Sequence, residues 1–232
     1  STGEPFKIYQ NKFEDYTAHV RVFIMLQTLG YNPFRNITMI TRYESDDKFK
    51  VEGDIRILSK LQKYLNLFQR HIISIYEEPA VIIKKVVQNK PFILWSTPSV
   101  LDMVANELLM QNKRLDIPYV VLTSENIAPH QYKKFFSCIS KNVIGLYGLM
   151  EAPSLAYDIN NTGRLLTFPN TFFVEYLNQQ MHDGQSTGTP VVTNLVNFTM
   201  PFIRYNTHDV SNMLDTPGFP FKEIGYVRGR ID

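Results

Sequence analysis

Between residues 13 and 29 the apolar side chains Phe13, Tyr16, Val20, Phe23 and Ile24 recur at three- and four-residue steps, which predicts a helix with one buried face. The period then changes. Residues 36–43, "NITMITRY", predict a strand with Ile37, Met39, Thr41 and Tyr43 on one face, and residues 46–53 form a polar connection. A β-branched run at 71–76 precedes a helix over 79–88, and "PFILWS" (91–96) predicts another strand. Thr97 followed by Pro98 reads as a helix start, a hydroxyl cap and then proline in the first turn, with Leu101, Val104, Ala105 and Leu108 as the apolar face. "PYVVLT" (118–123) is a buried strand, Tyr132, Phe135, Phe136 and Ile139 mark the next helix, and "NVIGLYG" (142–148) is a strand and turn.

Strands alternating with helices predict a mostly parallel sheet flanked by helices. The pattern changes after Glu151. "SLAYDI", "RLLTF", "TFFVEYL" and "TPVVTNLV" are short strands between Asn-, Gly- and Asp-rich turns, without a helical period. The expected fold class is therefore α/β: an α/β part over 1–150, followed by a smaller antiparallel, β-rich or barrel part over 151–232.

A length of 232 residues with 44% hydrophobic content supports one large core or two small ones. Charged residues make up 20% of the chain and the net charge is +2, with Lys and Arg scattered, so nothing recommends nucleic acid or an anionic membrane as partner. No apolar run approaches the roughly 18–20 residues that cross a bilayer. One cysteine, Cys138, excludes an internal disulfide and fits a reducing compartment, so with no visible signal peptide the cytoplasm is the expected location. Cys138 lies on the helix face with Phe135 and Ile139 and reads as core rather than nucleophile. The chain starts at a serine and ends at "YVRGRID", as a processed natural protein or an excised piece of a longer one would.

Ligands of open parallel sheets bind past the carboxyl ends of the strands. Three polar segments are candidates: "STGEP" (1–5), "LTSEN" (122–126) and "LYGLMEA" (146–152). The first is hydroxylic and glycine-bearing, suited to wrapping phosphate oxygens, but lacks the Lys-Ser/Thr ending of a P-loop. In the third, Gly148 permits a bend, Tyr147 offers a flat face and Glu151 an oxygen for Mg²⁺; alone, the same residues also read as a buried tyrosine and a solvated acid. "MPFIRYNTHD" (200–209) runs an apolar stretch into a lone acid, Asp209, which alone reads as a strand ending in a polar turn. The five histidines are too far apart to be zinc ligands, and no Gly-x-Ser-x-Gly elbow supports a serine hydrolase.

Taken in order, "STGEP…LTSEN…LYGLMEA…MPFIRYNTHD…GYVRGRID" resembles the adenylate-forming (AMP-binding, acyl-CoA synthetase-like) enzymes, closest to their phenylacetate–CoA ligase and capsule-biosynthesis branch. The resemblance covers essentially the whole chain and places it in the later part of the family's large domain, with an N-terminal segment and the small C-terminal domain, which carries a catalytic lysine, lying outside it. It implies ATP-dependent activation of a carboxylic acid, followed by transfer to coenzyme A, with Mg²⁺ as the metal. It implies that Ser1, Thr2 and Gly3 end the loop holding the β- and γ-phosphates. Ser124 and Glu125 match the turn over the adenine, Tyr147 and Gly148 the aromatic stacking on it and its bend, Glu151 the Mg²⁺ ligand and catalytic carboxylate. Asp209 matches the acceptor of the ribose hydroxyls, Arg230 the arginine near ribose and phosphate, and Asp232 the interdomain hinge. Two positions depart from the pattern. Met150 stands where the family has Ser or Thr, leaving only its backbone to serve the nucleotide, and His208 stands where it has glycine. A degenerate homologue that binds or assembles without catalysis is therefore the alternative expectation. The resemblance also implies little turnover by this chain alone.

Overall fold

The structure, a computed structural model, describes residues 7–42, 67, 69–182, 184–214 and 222–230. Ser1, Thr2, Gly3, Asp232, Tyr43 and the connection expected at 46–53 lie outside the described residues. The elements run α1 (Lys12–Thr28), β1 (Ile37–Thr41), β2 (Arg70–Ser74), α2 (Pro79–Asn89), β3 (Ile93–Ser96), α3 (Pro98–Met110), β4 (Tyr119–Thr123), α4 (Pro129–Cys138), β5 (Val143–Tyr147), β6 (Ala156–Ile159), β7 (Arg164–Thr167), β8 (Phe172–His182), β9 (Gln185–Asn194), β10 (Tyr205–Asn206), β11 (Asp209–Asn212), β12 (Glu223–Gly225) and β13 (Val227–Arg230). Among the described residues no helix is long and apolar enough to cross a membrane.

The chain forms two units. An α/β unit holds residues 27–145 with 159–161; a β-rich unit holds the described residues through Leu26, residues 146–158 and the described residues from 162 onward.

In the α/β unit β1 pairs in parallel with β2 and with β3, and β3 pairs in parallel with β4, within the order β5-β4-β3-β1-β2. β1 departs from the expected one-sided alternation. Ile37, Thr38 and Ile40 are buried, Met39 is half-buried and Thr41 is exposed. A strand with parallel partners on both sides is covered on both faces, so a period of two loses its meaning there. The helices follow their sequence signals. Proline opens each of α2, α3 and α4, where its missing N–H costs nothing. All four expected face residues of α3 are buried. Leu94, Leu101, Leu122 and Phe135, each at most 1% exposed, belong to one apolar core, and each such side chain contributes about 1.5–3 kcal/mol by leaving water. Cys138 packs into the same core, and burial pushes its thiol up from the ordinary range, as suits a structural rather than a nucleophilic sulfur.

The start of α3 differs from expectation. The Thr97 side chain makes no cap hydrogen bond. The Glu125 carboxylate does that work: Oε2 accepts from the Ser99 N–H (2.9 Å) and Oε1 from the Ser99 hydroxyl (2.7 Å). A carboxylate suits the positive end of a helix better than a hydroxyl does.

The β-rich unit combines an antiparallel sheet in which β9 pairs with β8, β10 and β11, and β11 with β13, with an antiparallel trio in which β7 pairs with β6 and β12. Leu155, Phe172, Val174, Val192 and Ile224 form its core.

The expected buried face of α1 is overturned. Phe13 (62%), Tyr16 (59%), Val20 (51%) and Ile24 (50%) are exposed, and Phe23 is half-buried. The helix buries Glu14, Arg21, Met25 and Leu26 instead. The physical reason is specific pairing of the two charges. Glu14 accepts from the N–H groups of Asn11 (2.7 Å), Phe198 (2.9 Å) and Thr199 (3.0 Å). Arg21 donates to the Pro153 carbonyl (2.7 Å) and lies 4.7 Å over the Phe172 ring. Burial pulls the Arg21 guanidinium down to about 10, still charged at neutral pH. Glu14 is well partnered, whereas Arg21 is held through Nη2 and the ring, with Nε and Nη1 buried and without a hydrogen-bond partner among the described residues; periodicity of apolar residues cannot foresee either burial.

Candidate functional site

Several of the residues singled out from sequence meet within the β-rich unit. β5 ends at Tyr147, and the turn after it is held by mutual backbone hydrogen bonds between Leu149 and Ala152 (both 3.2 Å). Gly148 is required there by close approach: a Cβ would meet the Ser154 nitrogen at 2.6 Å. The turn is tied down from two further sides, since the Asn194 amide donates to the Glu151 carbonyl (3.2 Å) and Arg21 to that of Pro153.

Asp209 opens β11 opposite Arg230 of β13 in antiparallel register. It is 6% exposed. The Tyr147 hydroxyl donates to its Oδ2 at 2.6 Å, and Arg230 Nε lies 3.7 Å from its Oδ1. Burial, reinforced by the Asp209 charge, pushes the Tyr147 phenol well above its usual range, so Tyr147 is a fixed donor at any accessible pH. Thr207 shapes the approach to Asp209 by donating its hydroxyl to the Pro190 carbonyl (2.8 Å) and accepting from the Asp209 N–H (3.2 Å). His208 adopts φ 58°, and its N–H donates to the Asn206 side chain (2.9 Å). The left-handed backbone that glycine would supply is thus retained with a histidine in it, its side chain exposed.

Glu151 is half-buried, and its Oε1 accepts a 2.6 Å hydrogen bond from the Tyr205 hydroxyl. Burial, followed by this bond and the Glu151 charge, pushes Tyr205 up to about 12. Tyr205 also feels Arg230 and Asp209, which places Glu151, Asp209 and Arg230 in one electrostatic neighbourhood around a phenol. Met150 is 75% exposed. Among the described residues no group of three or more His, Cys, Asp or Glu side chains could hold a metal ion.

Ser124 and Glu125 follow β4 in the α/β unit. Ser124 is exposed at φ 72°, and both oxygens of Glu125 are engaged by Ser99. Sequence reasoning passed over Tyr205, although it stands inside the quoted stretch four residues before Asp209. A hydroxyl-bearing aromatic next to a candidate acid was the available signal. That it would serve Glu151, 54 residues away, was not readable.

No protein-family model and no curated protein sequence matches the chain. Solved structures do. A 2-hydroxyisobutyryl-CoA ligase in complex with 2-HIB-AMP and CoA aligns with a TM-score of 0.68 at 16% identity, covering 100% of this chain and 50% of that one. An O-succinylbenzoate coenzyme A synthetase from Bacillus subtilis in complex with AMP gives 0.63 at 12% identity over 99% of this chain and 47% of that one. A long-chain-fatty-acid-CoA ligase from Archaeoglobus fulgidus gives 0.60 at 12% identity over 94% and 48%. The chain spans about half the length of these enzymes. Its fold, a mostly parallel sheet flanked by helices plus an antiparallel sheet, is theirs.

Proposed function

We propose that the chain is the nucleotide-binding core of an adenylate-forming enzyme, which joins a carboxylic acid to ATP as an acyl adenylate with release of pyrophosphate, then passes the acyl group to the thiol of coenzyme A with release of AMP. The observation that carries the reading is the clustering of Glu151, Asp209 and Arg230 around Tyr205 and Tyr147 in one unit. All of these except Tyr205 are residues the resemblance singles out for a nucleotide. The ligands of the structural neighbours, 2-HIB-AMP, AMP and CoA, support the same class of reaction. The order of the five motifs supports the finer placement in the phenylacetate–CoA ligase and capsule-biosynthesis branch, and a cytoplasmic location goes with it.

The roles are those the resemblance implies, set beside the contacts of the β-rich unit. An ionised carboxylate only accepts hydrogen bonds, so Asp209 suits two adjacent ribose hydroxyls; Tyr147 and Arg230 hold it in place. Arg230 adds positive charge beside the sugar and phosphate. Tyr147 and Gly148 shape the wall against which the adenine stacks, and the resemblance gives Ser124 and Glu125 the turn over the adenine. Ser1, Thr2 and Gly3 hold the outer phosphates, Met150 offers only its backbone, and Asp232 is the hinge. The donor set fits Mg²⁺: Glu151 presents a half-buried hard oxygen donor whose side chain has one hydrogen-bond partner among the described residues, and Mg²⁺ is bound through one or two carboxylates with phosphates and water completing its shell. Glu151 would hold the ion, whose chemistry is neutralisation of charge on the phosphates.

Isothermal titration with AMP tests the reading. Asp209→Ala weakens binding at least about tenfold, roughly 1.4 kcal/mol, while Glu175→Ala, in the same unit, retains it. Equal affinity for AMP in the wild type and Asp209→Ala removes the nucleotide assignment.

A second reading, a homologue that binds without catalysis, is favoured by the engagement of Asp209 on both oxygens and by Met150 and His208. ATP–pyrophosphate exchange, measured on the protein in its full natural length across a panel of carboxylic acids, separates the two: exchange with any acid removes the second.

A further inference from the structure

At the amino edge of the parallel sheet, β1 to β4 begin around a cavity of about 640 Å³, within the range of about 300–1,000 Å³ that holds small organic ligands. Its wall is made by residues just entering the strands: Asn36 before β1, Gln69 before β2, Phe92 before β3 and Pro118 before β4. Ser124 and Glu125 follow the other end of β4. At about 3.3 Å per residue, the length of that strand, roughly 15 Å, separates them from the cavity.

Three cations, Arg35, Lys90 and Arg114, line the cavity against one acid, Asp116. All three are exposed, and none is in an ion pair among the described residues. The Arg35 guanidinium lies 4.0 Å over the Phe92 ring, and Val86, Leu115 and Ile117 supply buried apolar surface beneath. Phe34 stands on the wall with 78% of its surface exposed. The wall is preformed. The Asn36 amide donates to the Asn89 carbonyl (2.6 Å) and accepts from the Phe92 N–H (3.1 Å), joining the start of β1 to the end of α2 and the start of β3. Lys90 ends α2 at φ 44°, a left-handed position usually given to glycine. A long cationic side chain kept at a strained position beside a cavity points to a use for that side chain.

We propose that this cavity binds a small organic anion of the phosphate-monoester class that carries a flat apolar group. A concave wall of low dielectric focuses the field of the three cations. Guanidinium groups match phosphate oxygens in pairs. Phe34 takes the ring, while Phe92 holds the Arg35 guanidinium beside it. The site uses none of the residues assigned to ATP and stands apart from that assignment.

Phenyl phosphate is the probe, followed through the backbone amide spectrum of the chain. Saturable shifts at Arg35, Phe92 and Arg114 are expected. The double reversal Lys90→Glu/Arg114→Glu lowers the affinity at least about tenfold, whereas Lys84→Glu/Lys133→Glu, at exposed positions elsewhere in the unit, retains it. Inorganic phosphate binds more weakly than phenyl phosphate, and Asp209→Ala leaves phenyl phosphate binding unchanged, which separates a failure here from a failure of the nucleotide site. The proposal is overturned by the absence of shifts at these amides up to about 10 mM probe, by unchanged affinity in the reversal variant, or by inorganic phosphate binding as tightly.

Discussion

His208 and Gly148 are two solutions to one local problem, a backbone that leaves little freedom to its side chain. His208 holds φ 58° without being glycine, at a cost of about 1 kcal/mol. His208→Gly relieves that strain but enlarges the entropy of the unfolded chain, so urea unfolding is expected to show a net gain of about 0.5 kcal/mol. Gly148 has no such latitude. Because Ser154 N lies 2.6 Å from where a Cβ would sit, Gly148→Ala displaces the Glu151 turn, and a loss of about 2–3 kcal/mol is expected in the same assay. Tyr205→Phe removes one hydrogen bond to a charged group on a half-buried residue; a cost of about 1 kcal/mol is expected, with AMP affinity as the second readout. These three positions also mark the limits of legibility. Gly, His and Tyr could each be picked out beside a candidate acid. Which backbone comes within van der Waals distance of Gly148, and which carboxylate Tyr205 meets, depends on the pairing of strands far apart in sequence.

At the scale of elements, helix starts and buried strands were readable because proline and runs of Val, Leu and Ile act locally. The face of α1 was not. Five apolar residues at helical spacing pointed to one side, and two charges with well-placed partners turned the helix to another. Met25→Ala is therefore expected to cost about 2–5 kcal/mol, whereas Phe13→Ser or Val20→Ser changes stability by less than about 0.5 kcal/mol in chemical denaturation. Glu14 supplies a pH signature. Burial alone would raise its carboxyl above the ordinary 4.5, but the N–H groups of Thr199, Asn11 and Phe198 outweigh it and hold the group below that value. A folded pKa below the unfolded one contributes stability fully present above the unfolded value, and that stability is lost as pH falls through the folded value. The acid limb of the stability profile below about pH 4.5 should therefore flatten in Glu14→Gln, as followed by denaturation midpoints at stepped pH.

At the scale of the whole molecule, the two architectures were legible from the change of period after Glu151, since helical spacing disappears there and turn residues crowd in. The membership of the units was not. Residues 12–26 look like the first helix of the α/β pattern, yet they belong to the β-rich unit, along with strands more than a hundred residues later. The α/β unit, by contrast, draws almost entirely on one continuous stretch, 27–145. This interleaving bears on assembly during synthesis. A ribosome that has released residue 145 has delivered nearly all of the α/β unit, while α1, with Arg21 and Glu14 still lacking Pro153, Phe198 and Thr199, has to wait for those residues to emerge. Contacts between distant parts of a chain form slowly because the intervening loop must close first, so amides of β3, α3 and β4 should acquire protection from exchange before those of α1 in pulse-labelled refolding.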